Sequence, residues 1–414
     1  MKINFERRIK MKQMPSILLI NPRSAFLDSD RVFPPLGILY LKSFLEKEGI
    51  YVKLEDDFDF KNINKYKEFH YIGISCTTPQ SREAEIIFRE IKKNFSLKKV
   101  IIGGAHASFY TEECIKAGYD HIVLGDGEKS LLDILNGCNE KILKNPIDSS
   151  KMNSLPLPFR DAGFLSNYHY KLDSLKTTTA ITSRGCPFNC AFCEHAKTKP
   201  RYYNSERIKQ ELSEISALGY EAVMFFDDLF AVNQRRVEEL CDIIKDFKIK
   251  FRCFGHVKCM TPKMAETLAE AGCVETGVGM ESGSQEILNI VKLPTSTVKE
   301  SYEYIKICHQ FGIRVKAFFM IGLPGETCET IKETEEFIAT SGIDDFDLVV
   351  YYPYKGTRIR DHIKEYDISL INDADTIGYY KGRKGGTEIS IRTSFLSGEE
   401  IKNESDRIFK KYKK

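Results

Sequence analysis

Hydrophobic runs of strand length alternate with helical periodicity along the first 140 residues. Residues 16–20 (SILLI) form an apolar run that stops at the breaker Asn21-Pro22. Residues 36–47 repeat apolar positions at helical spacing, with Leu36, Leu39, Tyr40 and Phe44 on one stripe. Residues 51–54, 71–75 (YIGIS), 100–102 and 122–124 read as further short strands, and residues 81–94 and 130–135 as helices. Five strands with helices between them predict parallel crossovers in a doubly wound sheet. Glycines and small polar residues follow the strands: Ser75-Cys76-Thr77-Thr78, Gly103-Gly104-Ala105-His106 and Gly125-Asp126-Gly127-Glu128. In such a sheet the carboxyl ends of the strands form the ligand crevice, and glycine lets the backbone approach a ligand closely. The first strand leads into NPRSAFLDSD rather than GxGxxG, so this is not a nicotinamide-type dinucleotide fingerprint.

Residues 141–175 lose the periodicity and carry Pro146, Pro156 and Pro158, which reads as an interdomain connection. A second alternation follows, with candidate strands at 177–182, 222–226, 251–254, 274–278, 315–320 and 346–351. Helical patterns separate them at 237–247, 263–271, 298–311 and 331–338. A further helix has Ser205 as its N-cap and Ile208, Leu212, Ile215 and Leu218 on one face. Six strand–helix units are too few for a closed eight-stranded barrel and predict a partial, open one. The expected architecture is α/β. A Rossmann-like parallel sheet spans 14–140, the connection 141–175, a partial (β/α)6 TIM-type barrel 176–360, and a small C-terminal extension without clear pattern 361–414.

The chain has 414 residues, 42% hydrophobic and 29% charged, which excludes a mainly disordered or collagenous protein. Lys+Arg is 61 against Asp+Glu 59, so no bulk basicity advertises nucleic acid or an anionic membrane as partner. No apolar run approaches the roughly 20 residues of a membrane span. The N-terminal MKINFERRIKMKQMP lacks the apolar segment of a signal peptide, pointing to a cytoplasmic location. There thiols stay reduced, and grouped cysteines among the 12 present bind metal or do redox chemistry more often than they form bridges.

One group stands out. After the first barrel strand comes TSRGCPFNCAFCEH, with Cys186, Cys190 and Cys193 spaced C-x3-C-x2-C. Three thiolates in one loop can hold a soft centre, zinc or iron–sulfur. Structural zinc wants four protein ligands; no fourth cysteine is near, and His195 is awkwardly close in sequence. A [4Fe–4S] cubane tolerates three cysteines if its fourth iron takes a non-protein ligand.

This loop resembles that of the radical S-adenosylmethionine (radical SAM) enzymes, C-x3-C-x-aromatic-C, with Phe192 at the aromatic position. The resemblance implies a [4Fe–4S] cluster on the three cysteines and SAM at the open iron. It implies reductive cleavage of SAM to a 5′-deoxyadenosyl radical that abstracts a substrate hydrogen. It also implies where SAM contacts lie. FFDDLF (225–230), with Asp227 and Asp228, matches an acidic segment near the SAM amino group. GVGMESGSQEIL (277–288), with Glu281 and Ser282, resembles the fourth-strand segment. FFMIGLPGET (318–327), with Gly322 and Pro324, resembles the fifth-strand segment along the adenine, and YYPYKGTRI (351–359) the sixth. In FGHVKC, His256 stands where relatives often have Arg.

Residues 16–137 resemble the cobalamin-binding domain that precedes many radical SAM domains, through LLINP, PPLGILYLKSFLEKEG, YIGISCTTP, IIGGAHAS and LGDGEKSLLDIL. The implied cobalamin contacts are Asn21, Pro22, Ser75, Thr77, Gly103, Gly104, His106, Gly125, Gly127 and Glu128. The Asp-x-His-x-x-Gly signature of a lower cobalt ligand is absent, which leaves His106 as cobalt ligand or polar lining. The combination resembles the cobalamin-dependent methyltransferase type. It implies methyl transfer to an unactivated carbon of a small or lipid-like molecule, with flavodoxin or ferredoxin as electron donor; no further catalytic residue is assigned. Alternatives are a cobalamin-associated cyclase, rearrangement or reductive enzyme, a tRNA methylthiotransferase, and a non-catalytic cobalamin sensor. The methylthiotransferase needs a second cluster in the first domain, for which Cys76, Cys114 and Cys138 are wrongly spaced. Cys253, Cys259 and Cys273 read as core thiols. Tyr168, Tyr170, Tyr351 and Tyr352 are candidates to line a substrate pocket.

Overall fold

The computed structural model describes residues 15–24, 27–195, 198–292, 296–372 and 389–413. The basic N-terminal stretch lies outside the described residues. The chain divides into two compact units, Met1–Ala25 with Pro34–Asn167, and Phe26–Phe33 with Tyr168–Lys414.

The first unit is built on β1 (Ser16–Ile20), β2 (Tyr51–Glu55), β3 (Tyr71–Ser75), β4 (Lys99–Gly103), β5 (His121–Val123) and β6 (Ile142–Leu143). They form one parallel sheet in the order β2-β1-β3-β4-β5-β6. Its helices are α1 (Leu36–Lys47), α2 (Ser81–Asn94), α3 (Ala105–Phe109), α4 (Thr111–Ala117) and α5 (Glu128–Leu135). Successive strand residues point to opposite faces, and both faces are packed. Leu18 and Ile20 join Ile72, Ile74 and Ile102 in one core, closed by Ala84, Ile87 and Ile91 of α2. Ile17 and Leu19 join Ile101 and Val123 in the other, closed by Leu45 of α1 and Leu131 and Ile134 of α5. Strands buried on both sides read as continuous apolar runs, which is why SILLI has no alternation.

The sequence pattern shows five strands in this unit, and the structure has a sixth. Residues 141–167, expected as a connection, pack into the first unit instead. β6 pairs with β5, the Ile147 N–H donates to Asp126 Oδ2 (2.9 Å) and the Phe159 N–H to the Leu39 carbonyl (3.1 Å). A two-residue strand between Lys141 and Lys144 is too short to leave a periodic trace.

The second unit contains β7 (Lys171–Leu172), β8 (Leu175–Ala180), β9 (Ser183–Arg184), β10 (Arg201–Tyr202), β11 (Ala222–Phe225), β12 (Lys250–Gly255), β13 (Cys273–Glu281), β14 (Arg314–Ile321) and β15 (Asp345–Val350). The helices are α6 (Ser205–Ala217), α7 (Gln234–Phe247), α8 (Pro262–Glu270), α9 (Gln285–Val291), α10 (Val298–Gln310), α11 (Cys328–Thr340) and α12 (Gly398–Tyr412). The main sheet runs β15-β14-β13-β12-β11-β8-β7, with six parallel strands in chain order and β7 as an antiparallel edge. Parallel strands added in sequence with helices on one side curl into a half-barrel. On β14, Val315, Ala317, Phe319 and Ile321 are buried beneath the helices, while Arg314, Lys316, Phe318 and Met320 on the inner face are only half-buried.

The C-terminal extension has more order than its sequence pattern suggests. α12 opens with a capping box between Ser397 and Glu400. Arg407 and Lys411 grip Glu335 of α11, and Lys413 pairs with Asp345 of β15. Hydrogen bonds from Arg407, Lys411 and Tyr412 hold the Glu335 carboxyl down at about 2. Among the described residues no helix is long and apolar enough to cross a membrane.

Candidate functional site

The cysteine loop leaves β9 and returns through β10, and the antiparallel pairs Arg184–Arg201 and Ser183–Tyr202 close its base. Gly185 opens the loop at φ +101°, where a Cβ would press on the Lys199 carbonyl and the Thr198 hydroxyl. Thr198 Oγ1 accepts the Cys186 N–H (2.9 Å), and the Cys193 N–H donates to the Cys190 carbonyl (3.2 Å). The loop is tied outward through Ala191, whose N–H donates to Val291 of α9 (2.8 Å) and whose carbonyl accepts the Ile359 N–H (3.1 Å).

Two adjacent carboxylates from the end of β11 hold this loop in place. Asp227 is 1% exposed, and its oxygens accept the Thr182 N–H (3.0 Å), the Thr182 hydroxyl (2.7 Å) and the Ser183 hydroxyl (2.5 Å). Burial raises its pKa against the pull of these bonds and of Arg236. Asp228 is exposed and takes the Gly185 N–H (2.8 Å). Both residues were expected near the SAM amino group; here their oxygens grip the strand and turn that lead into the cysteines.

Cys186, Cys190 and Cys193 are all half-buried and free. Burial pushes all three thiols up, Cys193 to about 12, and Lys292 is the neighbouring cation that opposes this at Cys186 and Cys190. Among the described residues, no three Cys, His, Asp or Glu side chains converge as the ligands of a single ion would. A cubane offers a separate iron to each thiolate, so its ligands spread around its corners. Three half-buried thiols in one loop therefore fit a [4Fe–4S] cluster. Phe192 is half-buried between Ala191 and Cys193.

Glu281 ends β13 at φ +68°, just past a register shift, and is buried. Lys292, 3% exposed on its side chain, lies 3.4 Å from Glu281 Oε1 and donates to the Gly279 carbonyl (2.8 Å). Burial raises the Glu281 pKa and Lys292 lowers it. Any Cβ at position 279 would collide with the Glu281 carboxylate. Ser282 turns away, sharing a hydrogen bond with Thr334 of α11 (3.0 Å), and Gly283 lets that helix approach. After β14, Gly322 sits at φ +90° and its N–H donates to Glu326 Oε2 (2.6 Å), as does the Leu323 N–H (3.1 Å). Pro324 lies within the loop these bonds close. Glu326 is fully buried and pushed up to about 8 by that burial, and its Oε1 has no partner. His256, past β12, lies flat on Phe188 of the cysteine loop.

Sequence reasoning missed Lys292 and Glu326. The available signal was a lysine at the end of the apolar run ILNIVK, where a charge has no reason to sit without a partner. Of the tyrosines proposed to line a pocket, Tyr351 and Tyr352 are buried. Tyr170 packs on Phe33 at 4.5 Å.

In the first unit the expected cobalamin contacts gather at the carboxyl ends of the strands. Asn21 and Pro22 follow β1; the Asn21 N–H donates to Glu55 and the Pro22 carbonyl accepts the Gln80 amide (2.7 Å). Ser75 ends β3, and Thr77 forms a capping box with Gln80. Gly103 ends β4. Gly104 sits at φ +93°, and a Cβ there would stand 2.5 Å from the Cys76 carbonyl oxygen. His106 is buried and stacked on Tyr110, centroids 5.0 Å apart. Gly125 donates its N–H to Ser108 Oγ (3.0 Å), Gly127 rests on Leu41, and Glu128 is buried at the start of α5.

The profile of the radical SAM superfamily matches residues 180–338, and that of the B12 binding domain matches residues 25–135. The chain belongs to the cobalamin-binding branch of the radical SAM superfamily. An uncharacterized methyltransferase of Pyrococcus horikoshii is 29% identical, over 84% of this chain and 83% of its own. The bacteriochlorophyllide d C-8(2)-methyltransferase of Chlorobaculum tepidum is 26% identical, over 78% and 74%. The radical SAM methyltransferase TsrM of Kitasatospora setae, solved with cobalamin and a [4Fe–4S] cluster bound, shares the fold. Its TM-score is 0.73 at 16% identity, over 87% of this chain and 81% of its own. As a member of this branch the chain is an enzyme whose cofactors are a [4Fe–4S] cluster, SAM and cobalamin.

Proposed function

We propose that this radical SAM enzyme transfers a methyl group from SAM to an unactivated carbon of a small or lipid-like molecule. One observation carries the reading: an open three-thiol loop and glycine-built strand ends of cobalamin-binding type occur in a single chain. The methyltransferase names of its relatives support it. When bound, the cluster supplies the electron that cleaves SAM, and cobalamin supplies the metal that carries the methyl group.

The chain's own residues hold and orient. Cys186, Cys190 and Cys193 ligate three irons, with Phe192 packed among them. Asp227 and Asp228 would steady the loop that holds the cluster, through Thr182, Ser183 and Gly185. The ammonium of Lys292 and the carboxylate of Glu281 would bind the amino-acid end of SAM, and Ser282 anchors their turn on α11. Gly322 and Pro324, shaped by Glu326, support the adenine. Asn21, Pro22, Ser75, Thr77, Gly103, Gly104, Gly125, Gly127 and Glu128 form the face for cobalamin, and His106, held against Tyr110, lines it rather than ligating cobalt. The electron comes from a low-potential donor such as flavodoxin or ferredoxin, in the cytoplasm.

The test is anaerobic purification with added hydroxocobalamin, then reaction with SAM and a reductant. The expected outcome is a retained corrinoid and formation of both S-adenosylhomocysteine and 5′-deoxyadenosine. Formation of 5′-deoxyadenosine by a corrinoid-free enzyme sinks the methyl-transfer reading.

A further inference from the structure

His256 opens a turn closed by the Cys259 N–H donating to the His256 carbonyl (2.9 Å). Both ends of this turn border the cysteine loop. The His256 ring lies on Phe188, midway between Cys186 and Cys190, with centroids 3.7 Å and planes 3° apart. Cys259 lies within electrostatic reach of Cys186. The imidazole is 7% exposed. Its Nδ1 accepts the Lys258 N–H (3.2 Å), which puts the ring proton on Nε2. That Nε2 is buried and has no hydrogen-bond partner.

A buried donor left unmade costs about 1–3 kcal/mol, so such groups in folded proteins point to a partner supplied from outside the chain. The charges acting on the ring are Lys292 and Lys258, both cations. The missing partner is therefore electron-rich. We propose that His256 is a positioning residue of the cluster: its Nε2–H donates to a sulfur, sulfide or coordinating thiolate, of the [4Fe–4S] centre held by Cys186, Cys190 and Cys193. This rests on the cluster assignment above. A donor to sulfur stabilises the electron-rich reduced cluster more than the oxidised one, and so raises its potential. A neutral imidazole does this without adding a fixed charge to a site that already holds Lys292.

The experiment uses the full-length, reconstituted protein without SAM. His256→Phe keeps the ring stacked on Phe188 and removes the donor, whereas His256→Gln keeps a donor amide. Iron content and an EPR-monitored redox titration are read for each. In His256→Phe the reduction equilibrium should fall about tenfold, equivalent to about 59 mV in a one-electron couple, with iron retained. In His256→Gln most of the wild-type potential should return. An unchanged potential in His256→Phe overturns the proposal. If His256→Phe loses its iron, the wild-type cluster decides. Pulsed EPR of the reduced protein labelled with ¹⁵N-histidine, in a His195→Ala background, should show coupling to a histidine nitrogen, and its absence refutes the contact. Failure of the cluster assignment itself looks different, because the wild-type protein would then retain no iron.

Discussion

The strand ends of the two sheets are built in opposite ways. Those of the first are largely backbone, with His106 and Glu128 as the buried ionisable side chains among them: Gly104 packs against the Cys76 peptide, Gly127 rests on Leu41, and the Gly125 N–H is held by Ser108. Those of the second are made of buried ionisable side chains: Asp227, Glu281 with Lys292, Glu326 and His256. A wide, flat cofactor is held by shape, and glycine removes the atoms in its way. A small centre that gains and loses charge is held by fixed dipoles and charges, each of which must be satisfied at a cost of several kcal/mol. The same type of parallel strand end thus serves two binding problems, and substitutions should separate them.

The sharpest separation is at the cysteines. Alanine at Cys186, Cys190 or Cys193 should abolish cluster assembly and 5′-deoxyadenosine formation while corrinoid binding persists. Iron analysis and product chromatography read the two halves independently. A variant that still releases 5′-deoxyadenosine refutes the ligand set. Next in size is Asp227→Ala. It leaves the Thr182 N–H and the Thr182 and Ser183 hydroxyls without their acceptor in a dry site, at roughly 1–3 kcal/mol each and about 5 kcal/mol together. Thermal unfolding should drop accordingly and iron content should fall. Asp228→Asn, exposed and holding one N–H, should move neither much.

These neighbours show how far the sequence could be read. The strands, both alternations and the cysteine loop were visible because each rests on local periodicity or spacing. Asp227 and Asp228 look alike in FFDDLF, yet in the loop past β11 one turns into the core and the other to solvent. Lys292 and Glu281 are 11 positions apart and meet only because α9 folds back over the end of β13. Residues 141–167 joined the first unit through a two-residue strand and hydrogen bonds to distant partners, which leave no periodic mark in the sequence. In the C-terminal extension α12 does carry a local pattern, a capping box and the buried Ile401 and Ile408, and ion pairs to α11 and β15 add to it.

Glu326 offers a pH test confined to the second sheet. Burial raises its carboxyl from 4.5 to about 8, against the Gly322 and Leu323 N–H groups that favour the anion. The folded state therefore holds a proton that the unfolded chain releases, and stability falls as pH rises. The loss begins near pH 4.5, is complete near pH 8, and amounts to roughly 5 kcal/mol over that window. Glu326→Gln should fold and flatten that dependence, as read from unfolding midpoints across the window. An equally steep profile in the variant would show that other groups set it.

The smallest effects test the backbone side of the comparison. Gly104→Ala places a Cβ 2.5 Å from a peptide oxygen at φ +93°. Strain of about 1–3 kcal/mol in this glycine-only φ/ψ region adds to an overpacking penalty of about 1–3 kcal/mol. Corrinoid retention should fall with stability while cluster content stays whole. Gly125→Ala also meets a positive φ, +70°, but open space, so only the strain applies, about 1–2 kcal/mol. The two variants share a positive φ and differ in what the new methyl meets. If they destabilise equally, close packing at Gly104 contributes nothing and conformational freedom alone explains the glycines. If Gly104→Ala is worse by about 1 kcal/mol or more and is the one that loses corrinoid, the first sheet's strand ends are shaped by contact, as the second's are by charge.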